Sequence, residues 1–262
     1  MATSSAAGKT IVVTGGAGGL GKVIASAFLE AGANVAVFDV HEGRLKETAA
    51  DWEKYGDKFI TSQTDITDET AVNSFFTKVS AKFGRIDMLI NNAGIMDKFD
   101  PAGSLTLDLW NRVIGVNLTG AYLCTKAAIN AFEAQSPSGG TIISIGSVSS
   151  VHGVVAGAAY TVSKHGLLGL VRNTAGFYGP KGIYSIAFLM GGMDTNIVDV
   201  FATGINQEGM ALNQSANPGF DPAKSYISLS EVAKYCLFFS DRAIAETANG
   251  TTVTLTKNWP AA

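Results

Sequence analysis

Residues 10–21 read TIVVTGGAGGLG, a run of strand-forming residues that passes directly into a turn with five glycines. A segment with helical periodicity, residues 20–31, follows at once. Glycine can adopt the positive φ of a tight turn and lets a ligand approach the backbone closely. The start of the helix adds unpaired N–H groups and a partial positive charge. The stretch therefore predicts a strand, a turn and a helix that together bind a diphosphate.

Two motif spacings fit the same glycines. Gly16, Gly18 and Gly21 match G-x-G-x-x-G, whereas Gly15, Gly19 and Gly21 match G-x-x-x-G-x-G. Glycine-dense turns are common, so the letters alone are weak evidence. The position between a first strand and a helix is what favours a dinucleotide site.

An acidic residue ends the second predicted strand, residues 34–39. Asp39 stands eighteen positions after Gly21. A carboxylate there can accept hydrogen bonds from the adenosine ribose and repel a 2′-phosphate. No arginine or lysine lies in the turn beside it, since Lys22 belongs to the helix. The sequence therefore favours NAD over NADP, and the alternative is that Asp39 only caps the next helix.

The rest of the chain alternates short apolar runs with helix-period segments. This pattern is typical of one α/β domain, residues 1–262, with a Rossmann-type doubly wound parallel sheet of about seven strands and helices on both faces. The predicted strands are residues 10–14, 34–39, 58–65, 88–91, 141–147, 184–189 and 252–255. The predicted helices are residues 20–31, 42–55, 69–83, 107–133, 158–177 and 230–239. Residues 196–228, with several glycines and two prolines, are expected to form an irregular substrate loop or lid.

Composition narrows the class of protein. Hydrophobic residues make up 47% of the 262 residues and charged residues 16%, which allows a sizeable core. A net charge of −3 without a basic cluster argues against nucleic acid as a partner. Cys124 and Cys236 fit reduced core thiols, and the three histidines show no metal-ligand spacing. No apolar run could span a membrane and residues 1–9 lack signal-peptide features, so we expect a cytoplasmic protein without a metal.

A proton-transfer group is predicted within residues 158–177. Tyr160 and Lys164 are four positions apart on this helix, so the phenol and the ammonium can converge. A lysine cation stabilises a phenolate and lowers the tyrosine pKa, which makes the phenol a usable acid or base. On spacing alone, the pair could equally be a surface contact worth at most ~0.5 kcal/mol. Ser147 ends a predicted strand thirteen positions earlier, so a short loop could place a substrate oxygen between the two hydroxyls.

Together these elements resemble the short-chain dehydrogenase/reductase family over nearly the whole chain, residues 10–255. The residues that carry the resemblance are the glycine turn at 14–21, Asn91-Asn92-Ala93-Gly94, Asn117 within Val-Asn-Leu, Ser147, and Tyr160-x-x-x-Lys164. A resemblance of low specificity to the branch with NAD-linked hydroxyprostaglandin dehydrogenases carries no substrate with it. The family resemblance implies an NAD-dependent enzyme that interconverts a secondary alcohol and a ketone.

The resemblance also implies roles for single residues. Tyr160 would be the acid/base, Ser147 would orient the substrate oxygen, and Lys164 would bind the nicotinamide ribose and lower the Tyr160 pKa. Asn117 would hold a water that links Lys164 to solvent. The remaining residues implied to contact the cofactor are Gly15, Gly19, Leu20, Gly21, Asp39, Asp65, Ile66, Asn91, Ala93, Gly94, Gly191 and Thr195.

The sequence departs from the family pattern at two places. Met190 stands where a proline usually precedes Gly191, and residues 252–258 lack the usual Asp-Gly-Gly turn. Losing the proline loosens the backbone near the nicotinamide, although a methionine can still cover a ring face.

The substrate and the assembly are predicted only in outline. Val148, His152, Met190 and Phe201 are the expected substrate contacts, although a surface role is the default for His152. This mostly apolar set favours a hydrophobic alcohol or ketone. The family implies a dimer or tetramer formed through the helices predicted at 107–133 and 158–177. The alternatives are a ketoreductase of secondary metabolism and a catalytically silent NAD-binding scaffold or sensor.

Overall fold

A computed structural model describes residues 6–260 and shows a seven-stranded, fully parallel sheet. The strand order is β3-β2-β1-β4-β5-β6-β7, with helices on both faces, as predicted. The interpretation of residues 1–9 as lacking a leader falls partly outside the described residues, as do the first five and last two residues of the predicted domain. Across residues 6–260 no helix combines the length and the apolar character needed to cross a membrane.

All seven predicted strands are present. Their bounds are Thr10–Thr14 (β1), Asn34–Asp39 (β2), Phe59–Gln63 (β3), Met88–Asn91 (β4), Gly140–Ser147 (β5), Ile183–Met190 (β6) and Thr252–Leu255 (β7). The prediction for β3 ran two residues too far. Asp65 leaves the strand because its Oδ1 accepts hydrogen bonds from the Thr67 amide and hydroxyl, both at 2.8 Å, which forms a local turn.

The observed helices differ in part from the six predicted ones, because one predicted helix is divided and others were not predicted. Their bounds are Gly19–Glu30 (α1), Glu42–Asp51 (α2), Glu69–Phe83 (α3), Leu107–Ile114 (α4), Ala121–Ala134 (α5), Ala158–Tyr178 (α6), Gln207–Ala216 (α7), Pro222–Ser225 (α8), Leu229–Phe238 (α9) and Arg242–Thr247 (α10). The single helix predicted over 107–133 is divided by a π-helical segment, Gly115–Gly120. Gly120 is packed so closely on Ile66 that a Cβ there would lie 2.5 Å from its Cγ1, which holds this segment against the chain after β3.

The expectation of an irregular loop over 196–228 was wrong in its local structure. The segment contains a 3-10 helix, Asn196–Thr203, followed by α7 and α8. Each of the three begins at a residue whose side chain accepts a backbone N–H: Thr195, Asn206 and Asp221. The capping residues were visible in the sequence, but glycines and prolines around them obscured the helical pattern.

The core lies on both faces of the sheet, and β6 shows how the strands divide it. Ile186 and Phe188 belong to the cluster that contains residues of α1 and α9. Ala187 and Leu189 point the other way and pack on Leu168 of α6. Cys124 and Cys236 are buried and unbonded to each other, and burial raises the pKa of both thiols.

The topology places a crevice at one edge of the sheet. The chain leaves β1 toward β2 and β3 on one side and returns to β4 on the other. Ligands of doubly wound sheets bind outside the carboxyl ends of the strands at such a switch point. The glycine turn after β1 and the residues after β4 and β5 all reach this crevice.

Gly140→Ala tests the packing between β5 and α5. A Cβ at Gly140 would lie 2.5 Å from Cε1 of the fully buried Phe132 ring. We expect unfolding to become easier by about 1–3 kcal/mol, since overpacked cores must shift. Thermal and urea denaturation measure this effect.

Gly43→Ala, in α2, is the matched control. Gly43 is exposed, and a Cβ there meets nothing within 4 Å. Replacing a helical glycine by alanine should stabilise the protein by about 0.5–1 kcal/mol. Equal effects of the two substitutions would contradict the packing described for β5.

Candidate active site

The glycine turn has the backbone geometry that its sequence predicts. Gly15 and Gly19 have φ of +62° and +49°, a region that side chains disfavour. A Cβ at Gly21 would overlap the Gly15 carbonyl oxygen. Gly18, the N-cap of α1, provides no side-chain cap. The start of α1 therefore keeps free N–H groups at a turn that a ligand can approach, and the G-x-x-x-G-x-G spacing marks the strained positions.

Asn92 joins the glycine turn to the segment after β4. Its Nδ2 donates to the carbonyl oxygens of Thr14 at 2.9 Å and Gly15 at 3.1 Å. The Thr14 hydroxyl in turn accepts the amides of Asn92 at 3.0 Å and Ala93 at 2.8 Å. Sequence reasoning gave Asn92 no role of its own, although it stands within the Asn-Asn-Ala-Gly motif. It positions the turn rather than a ligand.

Ala93 and Gly94 connect the glycine turn to the predicted proton-transfer residues. The position of a Cβ at Gly15 lies 3.0 Å from Ala93 Cα. The corresponding position at Gly94 lies 3.3 Å from Asn117 Oδ1 and 3.6 Å from Lys164 Nζ. The two halves of the predicted site are therefore adjacent in space.

Ser147, Tyr160 and Lys164 converge at the carboxyl end of β5, and all three are buried. The Ser147 side chain lies near enough to the Tyr160 phenol to lower its pKa. Lys164 Nζ lies 5.4 Å from the centre of the Tyr160 ring and donates to the Ile145 carbonyl oxygen at 2.9 Å. Ser147 Oγ also accepts the Ser149 amide at 3.1 Å, which fixes the start of the short 3-10 helix Val148–Ser150.

Burial dominates the electrostatics of this group. Burial raises the pKa of Tyr160 to about 12. The neighbouring Ser147 side chain lowers this pKa, and the nearby charge of Asp97 raises it. Burial lowers the pKa of Lys164 to about 8. The net shift of the Tyr160 pKa in this structure is upward, and its lowering by Lys164 stays a prediction. The physical reason is desolvation of both groups, which disfavours the phenolate and the ammonium alike.

Asn117 lies in the π-helical segment, next to Lys164. Its Oδ1 accepts the Ile95 amide at 2.8 Å, and its Nδ2 donates to the Ile95 carbonyl oxygen at 2.9 Å and to Ser163 Oγ at 3.1 Å. The side chain thus ties the segment after β4 to α6. Its Nδ2 makes two hydrogen bonds, whereas Oδ1 accepts one and keeps a second lone pair.

The residues implied to contact the adenosine lie in different environments. Asp39 accepts the amides of Ala17 at 3.3 Å and His41 at 3.1 Å, one on each carboxylate oxygen. Asp65 is exposed and Ile66 is buried. Asn91 points into the core, where its Nδ2 donates to Thr125 Oγ1 at 2.9 Å. Any contact of Asn91 with a cofactor would therefore use its backbone.

The four residues expected to contact the substrate differ in burial and in their packing partners. Val148 is buried, and His152 is exposed on the following turn. Met190 is 2% exposed and belongs to the core cluster of α1 and α9, a placement that favours a structural role. Phe201 packs on Phe99, with 5.6 Å between ring centres. A substrate contact stays a prediction for each of them.

The segment 195–217, called the lid below, covers the crevice and is held from both ends. On the glycine-turn side, Asp199 forms an ion pair with Arg44 of α2 at 3.1 Å, and Thr195 lies against Gly19. On the other side, Nδ2 of Asn217 donates to the Val154 carbonyl oxygen at 2.6 Å. The lid therefore joins the walls on the two sides of the crevice.

Comparison with known protein families identifies the family to which the chain belongs. Residues 9–205 match the family model of the short chain dehydrogenases. The chain belongs to the short-chain dehydrogenase family. It is accordingly an oxidoreductase that interconverts a secondary alcohol and a ketone.

Individual relatives agree over the full length of this short-chain dehydrogenase. It is 41% identical to the short chain dehydrogenase/reductase dpchG of Colletotrichum higginsianum, over 97% of this chain and 94% of that protein. It is 34% identical to 3beta-hydroxysteroid dehydrogenase 2 of Eggerthella lenta, over 97% and 96% of the two chains. The crystal structure of levodione reductase superposes with a TM-score of 0.84 at 27% identity, covering 98% and 99% of the chains.

The pH dependence of stability tests the buried state of Lys164 in this dehydrogenase. Its pKa is lowered to about 8 in the folded chain, against an ordinary value of 10.5. Between pH 8 and 10 the unfolded chain therefore binds more protons at this lysine, so folding is favoured as pH rises. Relative to Lys164→Met, the wild type should gain up to about 1.4 kcal/mol per pH unit over this window. Urea denaturation at a series of pH values measures the difference.

Lys126→Met is the control for this titration. Lys126 is paired with Glu69 at the surface, which raises its pKa instead of lowering it. Relative to Lys126→Met, the wild type should gain no stability as the pH rises. A flat difference for Lys164→Met would show that Lys164 is hydrated in solution.

Proposed function

We propose that this short-chain dehydrogenase uses NAD(H) to interconvert a hydrophobic secondary alcohol and its ketone, with Tyr160 as the acid/base. The observation that carries the proposal is the convergence of the buried Ser147, Tyr160 and Lys164 side chains at the end of β5. A substrate oxygen that reaches both hydroxyls would receive two hydrogen bonds where negative charge develops. The placement of Gly94 next to Lys164 puts this point beside the cofactor crevice.

Tyr160, Ser147 and Lys164 have different roles in the proposed proton transfer. In ketone reduction, the Tyr160 O–H donates its proton to the carbonyl oxygen while Ser147 holds that oxygen in place. In alcohol oxidation, the phenolate accepts the hydroxyl proton. Lys164 would bind the nicotinamide ribose, and its charge would favour the phenolate that forms. NAD(H), when bound, supplies or accepts the hydride.

The proposed water relay uses the π-helical segment that contains Asn117. Because the Asn117 side chain is bonded to Ile95 and Ser163, main-chain carbonyls of Gly115–Gly120 are the further acceptors for a water that serves Lys164. A π-helical segment displaces carbonyls from the regular helical ladder, which suits this role.

The proposed preference for NAD over NADP rests on Asp39. The glycine turn before it is the proposed site of the diphosphate, which both cofactors share. The positive φ of Gly15 and Gly19 and the uncapped N-terminus of α1 fit a diphosphate. Each oxygen of Asp39 accepts one backbone amide and keeps lone-pair capacity for a ribose hydroxyl. Arg44 passes near Gly18 and is paired with Asp199 at the surface, a weak contact, so the preference for NAD depends on the Asp39 carboxylate itself.

The surroundings of Tyr160 support a hydrophobic substrate. The side chains packed around Tyr160 and its neighbours are apolar, among them Ile95, Met96, Trp110 and Ile197 of the lid. A steroid, which the name of the Eggerthella lenta relative specifies, is a molecule of this kind. The structural likeness to levodione reductase supports the ketoreductase alternative.

The assembly and the compartment are proposed on separate grounds. Large apolar side chains are exposed on the helices expected to pair subunits, namely Leu107, Tyr122, Val162 and Phe177. They support a homodimer or homotetramer, since a second copy would cover them. The two unbonded cysteines fit the reducing conditions of the cytoplasm.

Tyr160→Phe tests the function itself. It removes the phenolic O–H and keeps the buried ring. We expect kcat/KM to fall about 10²- to 10⁴-fold on any active pair of apolar ketone and NADH, because the general acid is lost. Absorbance of NADH across a panel of ketones and alcohols measures this.

Tyr184→Phe is the matched control, since Tyr184 is buried near the opposite end of the sheet. It should keep wild-type kinetics. Equal activity of the wild type and Tyr160→Phe on every active substrate would rule out the proposed mechanism. A wild type that binds NADH but turns over no substrate would instead favour the scaffold.

Cofactor choice is tested through Asp39. We expect kcat/KM with NADH to exceed that with NADPH at least tenfold, because the carboxylate repels a 2′-phosphate. Asp39→Ser should reduce this ratio mainly through a lower KM for NADPH. A wild type that prefers NADPH would contradict the role of Asp39.

A further inference from the structure

Asp97 is a buried carboxylate that the proposed mechanism does not use. In the part of the chain that the structure describes, it is the one acidic side chain that is fully buried. It lies between β4 and α4, and none of the ion pairs among residues 6–260 includes it. A buried, unpaired carboxylate is costly, and desolvation raises its pKa.

The hydrogen bonds of Asp97 explain how the carboxylate is held. Its Oδ1 accepts the amides of Phe99 at 3.1 Å and Gly157 at 3.0 Å. Its Oδ2 accepts the amide of Tyr160 at 2.9 Å. All three donors are backbone groups, and one belongs to the proposed acid/base itself.

Two of these donors are the ones that a capping box normally satisfies. Gly157 is the N-cap of α6 and Tyr160 is the third residue of the helix, but Gly157 has no side chain to cap with. In a capping box, the side chains of the N-cap and third residues bond each other's amides. Here a single carboxylate from another part of the chain bonds both.

Close contact with Asp97 explains why residue 157 is a glycine. A Cβ at Gly157 would lie 2.6 Å from Asp97 Oδ2. The backbone of Gly157, at φ −72° and ψ 176°, is in a conformation that serine also adopts at helix N-caps. Contact with Asp97, rather than backbone strain, is what requires the glycine.

We propose that Asp97 is a positioning residue, which anchors the first turn of α6 so that the Tyr160 phenol meets Ser147 and which places a fixed negative charge near that phenol. This inference rests on the proposed role of Tyr160. It adds a group from the segment after β4 to the proton-transfer site.

The charge acts on Tyr160 together with the other groups around it. Asp97 raises the pKa of Tyr160, and Ser147 lowers it. Lys164 faces the ring from the same helix, and Asp100 lies close enough to Asp97 to raise its pKa. His152, on the turn before α6, is exposed. Burial makes the largest contribution to the raised pKa of Tyr160, and the charge of Asp97 adds to it in the same direction.

Asp97→Ala and the double variant Asp97→Ala/Gly157→Ser separate anchoring from simple capping. The single variant leaves two amides of α6 without a partner and should lower both Tm and kcat. The double variant removes the carboxylate, makes room for a side chain at Gly157, and restores a cap for the Tyr160 amide. We expect it to recover most of the Tm but to keep kcat at least tenfold below wild type, with KM for NADH within about threefold.

The pH profile gives a readout that capping alone does not change. Ketone reduction needs the protonated phenol, so activity falls as pH rises through the Tyr160 pKa. Without the negative charge of Asp97 that pKa is lower, and the basic limb of kcat should move to lower pH in the double variant. Asp68→Ala, which removes an exposed cap of α3, should leave kcat and the profile unchanged.

The outcomes are distinct from those that test the proposed function. If Tyr160→Phe is inactive and the double variant has wild-type kcat and pH profile, Asp97 is only a helix cap and the proposal is overturned. If Tyr160→Phe is as active as wild type, the proposed function fails first. Should the double variant not unfold cooperatively, Asp97→Asn removes the charge at nearly constant volume. A wild-type basic limb in that variant would also overturn the proposal.

Discussion

The contact between the glycine turn and the segment after β4 holds the whole crevice in place. Asn92 donates to the carbonyls of Thr14 and Gly15, and the turn then lies so near Ala93 that only glycine fits at Gly15. The same segment continues through Gly94 to the Lys164 ammonium. Because β1 and β4 are neighbours at the point where strand order reverses, one short peptide supports both halves of the site.

Exclusion of water governs the chemistry at the end of β5. Burial raises the pKa of Tyr160 and lowers that of Lys164, so the protein without cofactor favours a neutral phenol and weakens the ammonium. The Ile145 carbonyl is the partner that keeps the Lys164 nitrogen in position. A low-dielectric site makes each remaining polar contact stronger, which suits hydrogen bonds that act on a developing charge.

The lid adds polar contacts at its edges to apolar packing in its interior. The Arg44–Asp199 pair and the bond from Asn217 to Val154 lie at the rim, whereas Ile197 and Phe201 face Tyr160's apolar neighbours and Phe99. Rim contacts of this kind are individually weak and exchange with water.

The sequence by itself determined the parallel sheet and the glycine turn, and it predicted that Ser147, Tyr160 and Lys164 form one group. The sheet and the turn depend on local periodicity and on spacing within single elements, which a linear pattern records. The boundaries of four strands were predicted to the residue for the same reason.

Only the tertiary structure decided the roles of residues whose partners are distant in sequence. Asn92, Arg44 and Asp97 bond groups that the chain brings together from other elements, so no local pattern announces them. The direction of the Tyr160 pKa shift was also beyond the sequence. Spacing places a lysine near the phenol, but the depth of burial, which depends on the packing of the whole domain, sets the larger effect.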